Sequence, residues 1–218
     1  MDKKQILETI NKVKESSKKR NFVQSYDLII NLKSLDLKKP DNHVDFFLSL
    51  PHGVGKKVKV CALVGLELKD EATKHCDKVI LANDFPQYAN DKKLIKKLAE
   101  EYDYFIAQAN IMAKVATTFG KVLGVRQKMP NPKAGCIVPP KASLKPLVEK
   151  LQNLIRISAK KNLIIHLKVG SEKMDNDQVV ENIHLIYTSL INHLPNEKNN
   201  LKNIFLKLTM TKSFELGK

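Results

Sequence analysis

The chain has 218 residues, 43% of them hydrophobic, enough for one large packed domain or two small ones and too apolar for a disordered tail. Lys+Arg number 38 against 23 Asp+Glu, a formal net charge of +15, which favours a polyanionic partner, either nucleic acid or an acidic membrane surface. No run of about 20 apolar residues could span a membrane, the opening Met1-Asp2-Lys3-Lys4-Gln5 is not a signal peptide, and Cys61, Cys76 and Cys136 read as reduced thiols of a cytosolic protein.

Residues 4–16 predict an amphipathic helix, with Ile6, Leu7, Ile10 and Val13 on one stripe. Three consecutive cations, Lys18, Lys19 and Arg20, follow it. Phe22 to Lys33 alternates as a half-buried antiparallel strand, with Tyr26, Leu28, Ile30 and Leu32 on one face. Lys38-Lys39-Pro40-Asp41-Asn42 is a turn. Val44 to Leu50 is the next strand, expected as a hairpin-like return with a long connection.

Leu50-Pro51-His52-Gly53-Val54-Gly55-Lys56-Lys57 marks a change of rhythm. Pro51 biases Leu50 toward extended backbone, and Gly53 and Gly55 take positive φ at little cost. The stretch reads either as a loop between strands or as a hinge between domains. Beyond it, apolar runs (58–64, 78–82, 104–107) alternate with helical patterns (70–76, 91–102, 110–123), which implies a parallel sheet covered on both sides. Gly124 to Pro140 is a long polar loop, and Ser143 is the N-cap candidate of a helix reaching Leu151, with Pro146 in its first turn.

From Leu154 alternation returns. Strands are predicted over 154–158 and 163–169, then a loop over Gly170-Ser171-Glu172-Lys173-Met174. Asp175 with Gln178 forms a capping-box pattern, opening a helix with Val179, Val180, Ile183, Ile186, Tyr187 and Leu190 as its apolar stripe. Residues 199–202 are loop, and a last strand alternates from Ile204 to Met210. The economical architecture is an α+β terminal domain, an antiparallel sheet with helices, built from residues 1–55 and 154–218. An α/β three-layer Rossmann-like domain, 56–153, is inserted in it. Two strands would cross between them, with hinge residues Pro51, His52 and Gly53 on one and Asn153 and Leu154 on the other.

Catalysis has little support. The six histidines show no H-x-x-x-H or H-x-E spacing, and neither G-x-S-x-G nor a Walker A loop occurs. No metal or cofactor is expected. A nucleotide-binding enzyme using the inserted domain is the rival reading, but it needs a glycine loop after Val64, where only Gly65 stands. The alternative is a binding surface made by Lys18 to Ser25, Lys168 to Lys173 and Lys207 to Ser213. Lysines there would hold phosphates, Ser25, Ser171 and Thr209 would reach sugar hydroxyls, and Phe22 would pack on a ribose or base. Structured RNA suits that mixture better than duplex DNA, because no recognition helix is evident.

Six stretches stand in order along the chain. The first three are Arg20-Asn21-Phe22-x-Gln24-Ser25, Leu50-Pro51-His52-Gly53-x-Gly55-Lys56 and Tyr102-Asp103-Tyr104-Phe105-Ile106-Ala107-Gln108-Ala109. The others are Lys128-Met129-Pro130-Asn131-Pro132, Val169-Gly170-x-Glu172-Lys173-Met174 and Lys207-Leu208-Thr209-Met210. In these the chain resembles the ribosomal protein L one family of the mobile side stalk, archaeal branch. The resemblance implies two domains with a hinge, and a cytoplasmic, non-enzymatic large-subunit protein that is monomeric when free. Its terminal domain would bind a helix-and-loop region of large-subunit ribosomal RNA. Many prokaryotic members also bind their own mRNA and repress its translation, and the stalk moves as deacylated transfer RNA leaves the exit site. Carried over, the contacts fall on Phe22, Ser25, Gly170, Ser171, Glu172, Lys173, Thr209 and Met210, with Arg20, Lys168, Lys207 and Thr211 beside them. The family usually has Gly where this chain has Thr211, and Gly-Pro-Arg-Gly where it reads Gly124-Val125-Arg126-Gln127. A side chain at 211 would crowd the RNA or demand another backbone angle.

Overall fold

The computed structural model describes residues 2–39 and 42–216. In chain order the elements are α1 (Lys3–Glu15), β1 (Ser25–Leu32), β2 (Val44–Ser49), β3 (Val60–Val64), α2 (Lys69–His75) and β4 (Lys78–Leu81). Then come α3 (Phe85–Asn90), α4 (Lys92–Glu101), β5 (Tyr104–Gln108), α5 (Met112–Leu123), β6 (Ile137–Val138) and α6 (Lys145–Asn153). The last are β7 (Leu154–Ala159), β8 (Ile164–Ser171), α7 (Asn176–His193), β9 (Leu201–Leu208) and β10 (Phe214–Glu215). The fold is mixed α/β, with antiparallel and parallel sheets. The chain divides into two compact units, Met1–Lys56 with Asn153–Lys218, and Lys57–Gln152.

The terminal unit holds an antiparallel sheet in the order β10-β9-β1-β8. Alternation along β1 sends Tyr26, Leu28, Ile30 and Leu32 inward. There they share a core with Ile6, Ile10 and Val13 of α1 and with Val179, Ile183, Ile186 and Leu190 of α7. Side chains also tie the two helices, since Asn176 Oδ1 accepts from Lys14 Nζ at 2.6 Å and its Nδ2 donates to Asn11 Oδ1 at 3.1 Å. Asp175 stands at the N-cap of α7, but its carboxylate makes no capping bond, so the expected capping box is not formed.

The hairpin-like pairing of β1 with β2 does not occur. Strand β1 is hydrogen-bonded on both edges, to β8 and to β9, and has no edge left. Strand β2 pairs instead with β7 in a separate two-stranded ribbon, Val44 opposite Ala159. Of the expected turn at 38–42, Pro40 and Asp41 lie outside the described residues.

The middle unit is a parallel sheet in the order β4-β3-β5-β6. Cys61, Leu63, Ile80, Phe105 and Ala107 share a core with residues of α3, α4 and α5, among them Phe85, Ile95, Leu98, Val115 and Phe119. Ala62, Val64 and Ile106 are buried as well, so neither face of the sheet is open to water. The expected structureless loop at 124–140 contains a single 3-10 turn, Pro132–Ala134, and the short strand β6, which pairs with β5. Ser143 lies too early to cap α6, which begins at Lys145.

Candidate nucleic-acid interface

Strand pairing brings three sequence-distant segments to one end of the terminal sheet. Tyr26 lies opposite Gly170 on one side and opposite Leu208 on the other. Beyond that row the chain continues into residues 17–24, 172–174 and 209–211. Strand β1 begins at Ser25, so Phe22 precedes it rather than opening it, and β9 ends at Leu208, which leaves Thr209, Met210 and Thr211 in the turn that follows.

The three segments are knotted around Gln24, which is 1% exposed. Its backbone N–H donates to Glu172 Oε2 at 3.2 Å, and its carbonyl accepts from the Glu172 N–H at 2.9 Å. Its side-chain Nε2 donates to Ser17 Oγ at 2.9 Å, and its Oε1 accepts from the Met210 N–H at 3.1 Å. A buried amide needs such partners, because an unpaired one costs about 1–3 kcal/mol. Sequence reading placed Gln24 in a motif but gave it no role; a glutamine at an inward-facing position beside a strand start was the available signal. Next to it the Ser25 N–H donates to Thr209 Oγ1 at 3.1 Å, and the Thr209 hydroxyl donates to the Ser25 carbonyl at 3.4 Å. Thr209 thus fastens its turn to β1.

What this knot leaves outside is apolar and cationic. Phe22 is 51% exposed and Met210 58%, with Val23 also open. Lys18, Lys19, Arg20 and Lys173 are exposed. On the outer face of the sheet, Asp27 lies in register with Lys168 on one neighbour and Lys207 on the other. Burial raises the Asp27 carboxyl above its usual range, and Lys207, Lys168 and His166 pull it back. Tyr26, beneath, is pushed up to about 12 by burial and by the charge of Glu172, so its hydroxyl stays neutral.

Gly170 and Ser171 differ from the expected exposed loop. Both belong to β8 and both are buried, Ser171 with 5% exposure, so its hydroxyl does not reach a ligand from the surface. The cause is Gly55. At φ +70 its backbone passes so close that a Cβ there would lie 2.6 Å from Ser171 Cβ and 2.8 Å from Met174 Sδ. Gly53 also takes positive φ, at +60.

The five expected hinge residues, Pro51, His52, Gly53, Asn153 and Leu154, all lie in the terminal unit. Leu50 N–H donates to the Asn153 carbonyl at 2.8 Å, and Leu154 pairs with Ser49. His52 Nε2 meets Glu181 Oε2 at 2.6 Å, and the buried Asn182 donates from Nδ2 to the Gly53 carbonyl at 2.8 Å. Asn182 is a further residue without a role in the sequence reading; it breaks the apolar stripe of α7.

Thr211 neither adopts positive φ nor stands free. Its Oγ1 accepts from the Leu208 N–H at 2.9 Å, and its hydroxyl donates to the Leu208 carbonyl at 3.3 Å. The side chain folds back on its own turn, so the change of backbone angle expected of it is not needed.

The middle unit offers little to a nucleotide. At the C-terminal end of β3 the Gly65 N–H already donates to Gln108 Oε1 at 2.7 Å, and Gln108 Nε2 donates to Glu67 Oε2 at 3.0 Å. A phosphate would meet an engaged amide and a carboxylate. Burial pushes the Cys61 thiol to about 12 and those of Cys76 and Cys136 to about 11, far from thiolate chemistry. Among the described residues no three His, Cys, Asp or Glu side chains gather where a metal ion could be held.

A family model described as "Ribosomal protein L1p/L10e family" matches residues 13–212. The large ribosomal subunit protein uL1 of Pyrococcus abyssi is 37% identical over 210 residues, 96% of this chain and 94% of that protein. The uL1 proteins of Methanothermobacter thermautotrophicus and Nanoarchaeum equitans are 38% identical over 207 residues and 39% over 208, each covering 94% of this chain and 95% of their own.

Proposed function

The chain belongs to the Ribosomal protein L1p/L10e family, and from that premise we propose that its terminal unit binds a folded region of large-subunit ribosomal RNA. It is a protein of the large ribosomal subunit, not an enzyme, and works in the cytoplasm, as the naming of its relatives supports. The observation that carries the RNA reading is the knot around Gln24, which holds Phe22 and Met210 open beside cations.

In this reading the roles divide by exposure. Phe22 and Met210 pack on bases or riboses, because an aromatic or thioether face is tolerant of which base it meets. Arg20, Lys168, Lys173 and Lys207 neutralise phosphates, which positions the RNA without reading it. Ser25 and Thr209 fix the floor of the site, and Gly170 and Ser171 set where Glu172 and Lys173 stand. The middle unit, residues 57–152, swings on two chain crossings. Because 50–55 is bonded into the terminal unit, flexing belongs at 56–57 and 152–153 rather than at Pro51 to Gly53. Contact with departing transfer RNA and repression of the protein's own mRNA, through an RNA fold like the ribosomal one, complete the proposal.

The test is chemical footprinting of large-subunit ribosomal RNA with the full chain. Protection of one compact helix-and-loop region, lost in Met210→Ala, is the expected result. Protection spread evenly over the RNA would overturn the reading.

A further inference from the structure

The positive charge of this chain is not confined to the terminal unit. Of the 38 Lys+Arg residues 17 lie in residues 57–152, against 10 of the 23 Asp+Glu. Helix α4 concentrates this excess. It buries Ile95, Leu98 and Ala99. At about 100° per residue, Lys92, Lys93, Lys96 and Lys97 fall within one arc away from that buried stripe, and all four are exposed.

Their position opposes the helix's own stability. The N-terminal turns of a helix favour anions, and like charges four apart repel. Yet α4 has no acidic residue in its first turn. The helix stands because Asp91 accepts from the Lys93 and Leu94 N–H groups, at 2.7 and 3.4 Å, and because of its buried stripe. Other cations of the unit form ion pairs, Lys57 with Asp77, Lys59 with Glu101 and Arg126 with Glu100. None of the four α4 lysines makes an ion pair within 4 Å among the described residues. Glu100, on the next turn of the same face, is itself engaged by Arg126, whose Nη2 lies 2.8 Å from its Oε1.

We propose that this lysine face of α4 is a second RNA-contact surface, which holds the phosphate backbone of an RNA duplex without reading its sequence. Lysines are mobile point charges suited to phosphate and not to base edges. A membrane is the poorer match, since Leu94 is the one large apolar residue exposed on α4 and no aromatic flanks it there. The proposal takes from the reading above only that RNA is the partner, and it does not need the Phe22–Met210 surface.

The test is the salt dependence of binding between the full chain and an RNA duplex of arbitrary sequence. Each phosphate neutralised contributes a slope of about −0.9 to log K against log salt. Replacing Lys92, Lys93, Lys96 and Lys97 together by Gln should make the slope shallower by about 3.6 units, and replacing them by Arg should restore it. Glutamine is a good helix former, so a helical circular dichroism spectrum as in wild type accompanies the expected result. Replacing the exposed Lys69, Lys74, Lys141 and Lys145 by Gln should leave the slope close to wild type. An unchanged slope in the α4 variant overturns the proposal, and so does an equal loss in the control, which would mean net charge alone. Binding of phosphatidylserine vesicles that is lost in the α4 variant while duplex binding survives would assign the face to membranes instead. Phe22→Ala should weaken ribosomal RNA binding and spare the duplex slope. Loss of duplex binding in that variant would place the duplex on the terminal surface and overturn the proposal without touching the function proposed above.

Discussion

Each unit carries a buried glutamine at one end of its sheet, and the two do opposite things. Gln24, 1% exposed, bonds to residues of three chain segments and leaves Phe22 and Met210 uncovered beside lysines. Gln108, also 1% exposed, bonds to the Gly65 N–H and to Glu67, consuming the donor a phosphate would need and adding negative charge. The parallel sheet has the strand order of a nucleotide-binding fold at the place where such folds hold ligands. The antiparallel sheet has no such precedent. Chemistry at the sheet end, not the class of sheet, marks the candidate site.

The largest effect expected is on the packing beneath the Gln24 knot. Gly55→Ala forces a side chain into φ +70 and to 2.6 Å from Ser171 Cβ, and it should cost the full chain about 3 kcal/mol in chemical denaturation. Next comes the direct comparison. Gln24→Ala and Gln108→Ala each break two side-chain hydrogen bonds in a buried setting, and each should lower stability by about 2 kcal/mol. Only Gln24→Ala should also weaken ribosomal RNA binding, by about tenfold or more; equal RNA affinities in the two variants would erase the distinction between the two sheet ends.

A smaller effect tests stability away from both. Burial alone would raise the carboxyl of Asp45 on β2, but hydrogen bonds from Arg156 and Lys160 hold it at about 2. Its contribution is therefore complete above about pH 4 and disappears as pH falls toward about 2. Solvent screening trims it, so Asp45→Asn should cost about 1 kcal/mol at pH 7 and flatten the acid limb of the stability curve, with RNA binding unchanged. The smallest effect is at Thr211. Thr211→Gly removes a hydroxyl that folds back on Leu208 and should change RNA affinity and stability by less than about 1 kcal/mol.

Much of this was legible in the residues themselves. Period-two alternation located β1, β8 and β9, and their shared inner face followed from Tyr26, Leu28, Ile165, Leu167, Ile204 and Leu206, all buried. The stripe of α7 was legible from its 3.6-residue period, Val179, Val180, Ile183, Ile186, Tyr187 and Leu190. The partner of β2 was not, because the alternation of Val44, Phe46 and Leu48 names a face of the strand and not the strand that pairs with it, which is β7. Strand β6 has two residues and exists through pairing with β5, which no local pattern encodes. In the candidate site, Phe22 and Thr209 came from chemistry at strand ends, and Met210 as a contact came from the family resemblance alone. The burial of Ser171 did not, since it depends on Gly55 arriving from a distant loop. Gln24 was overlooked because a polar residue near a basic run resembles surface until its four hydrogen bonds, to Ser17, Glu172 and Met210, are seen.

The most direct measurement is a titration of a large-subunit ribosomal RNA fragment with the full chain carrying Phe22→Ala and Met210→Ala together. Both side chains are mostly exposed, so the variant should unfold within about 0.5 kcal/mol of wild type. Its affinity should fall by about 2–3 kcal/mol, the loss of one stacking contact and of the thioether packing beside it. A folded variant that binds the fragment as tightly as wild type would contradict the account.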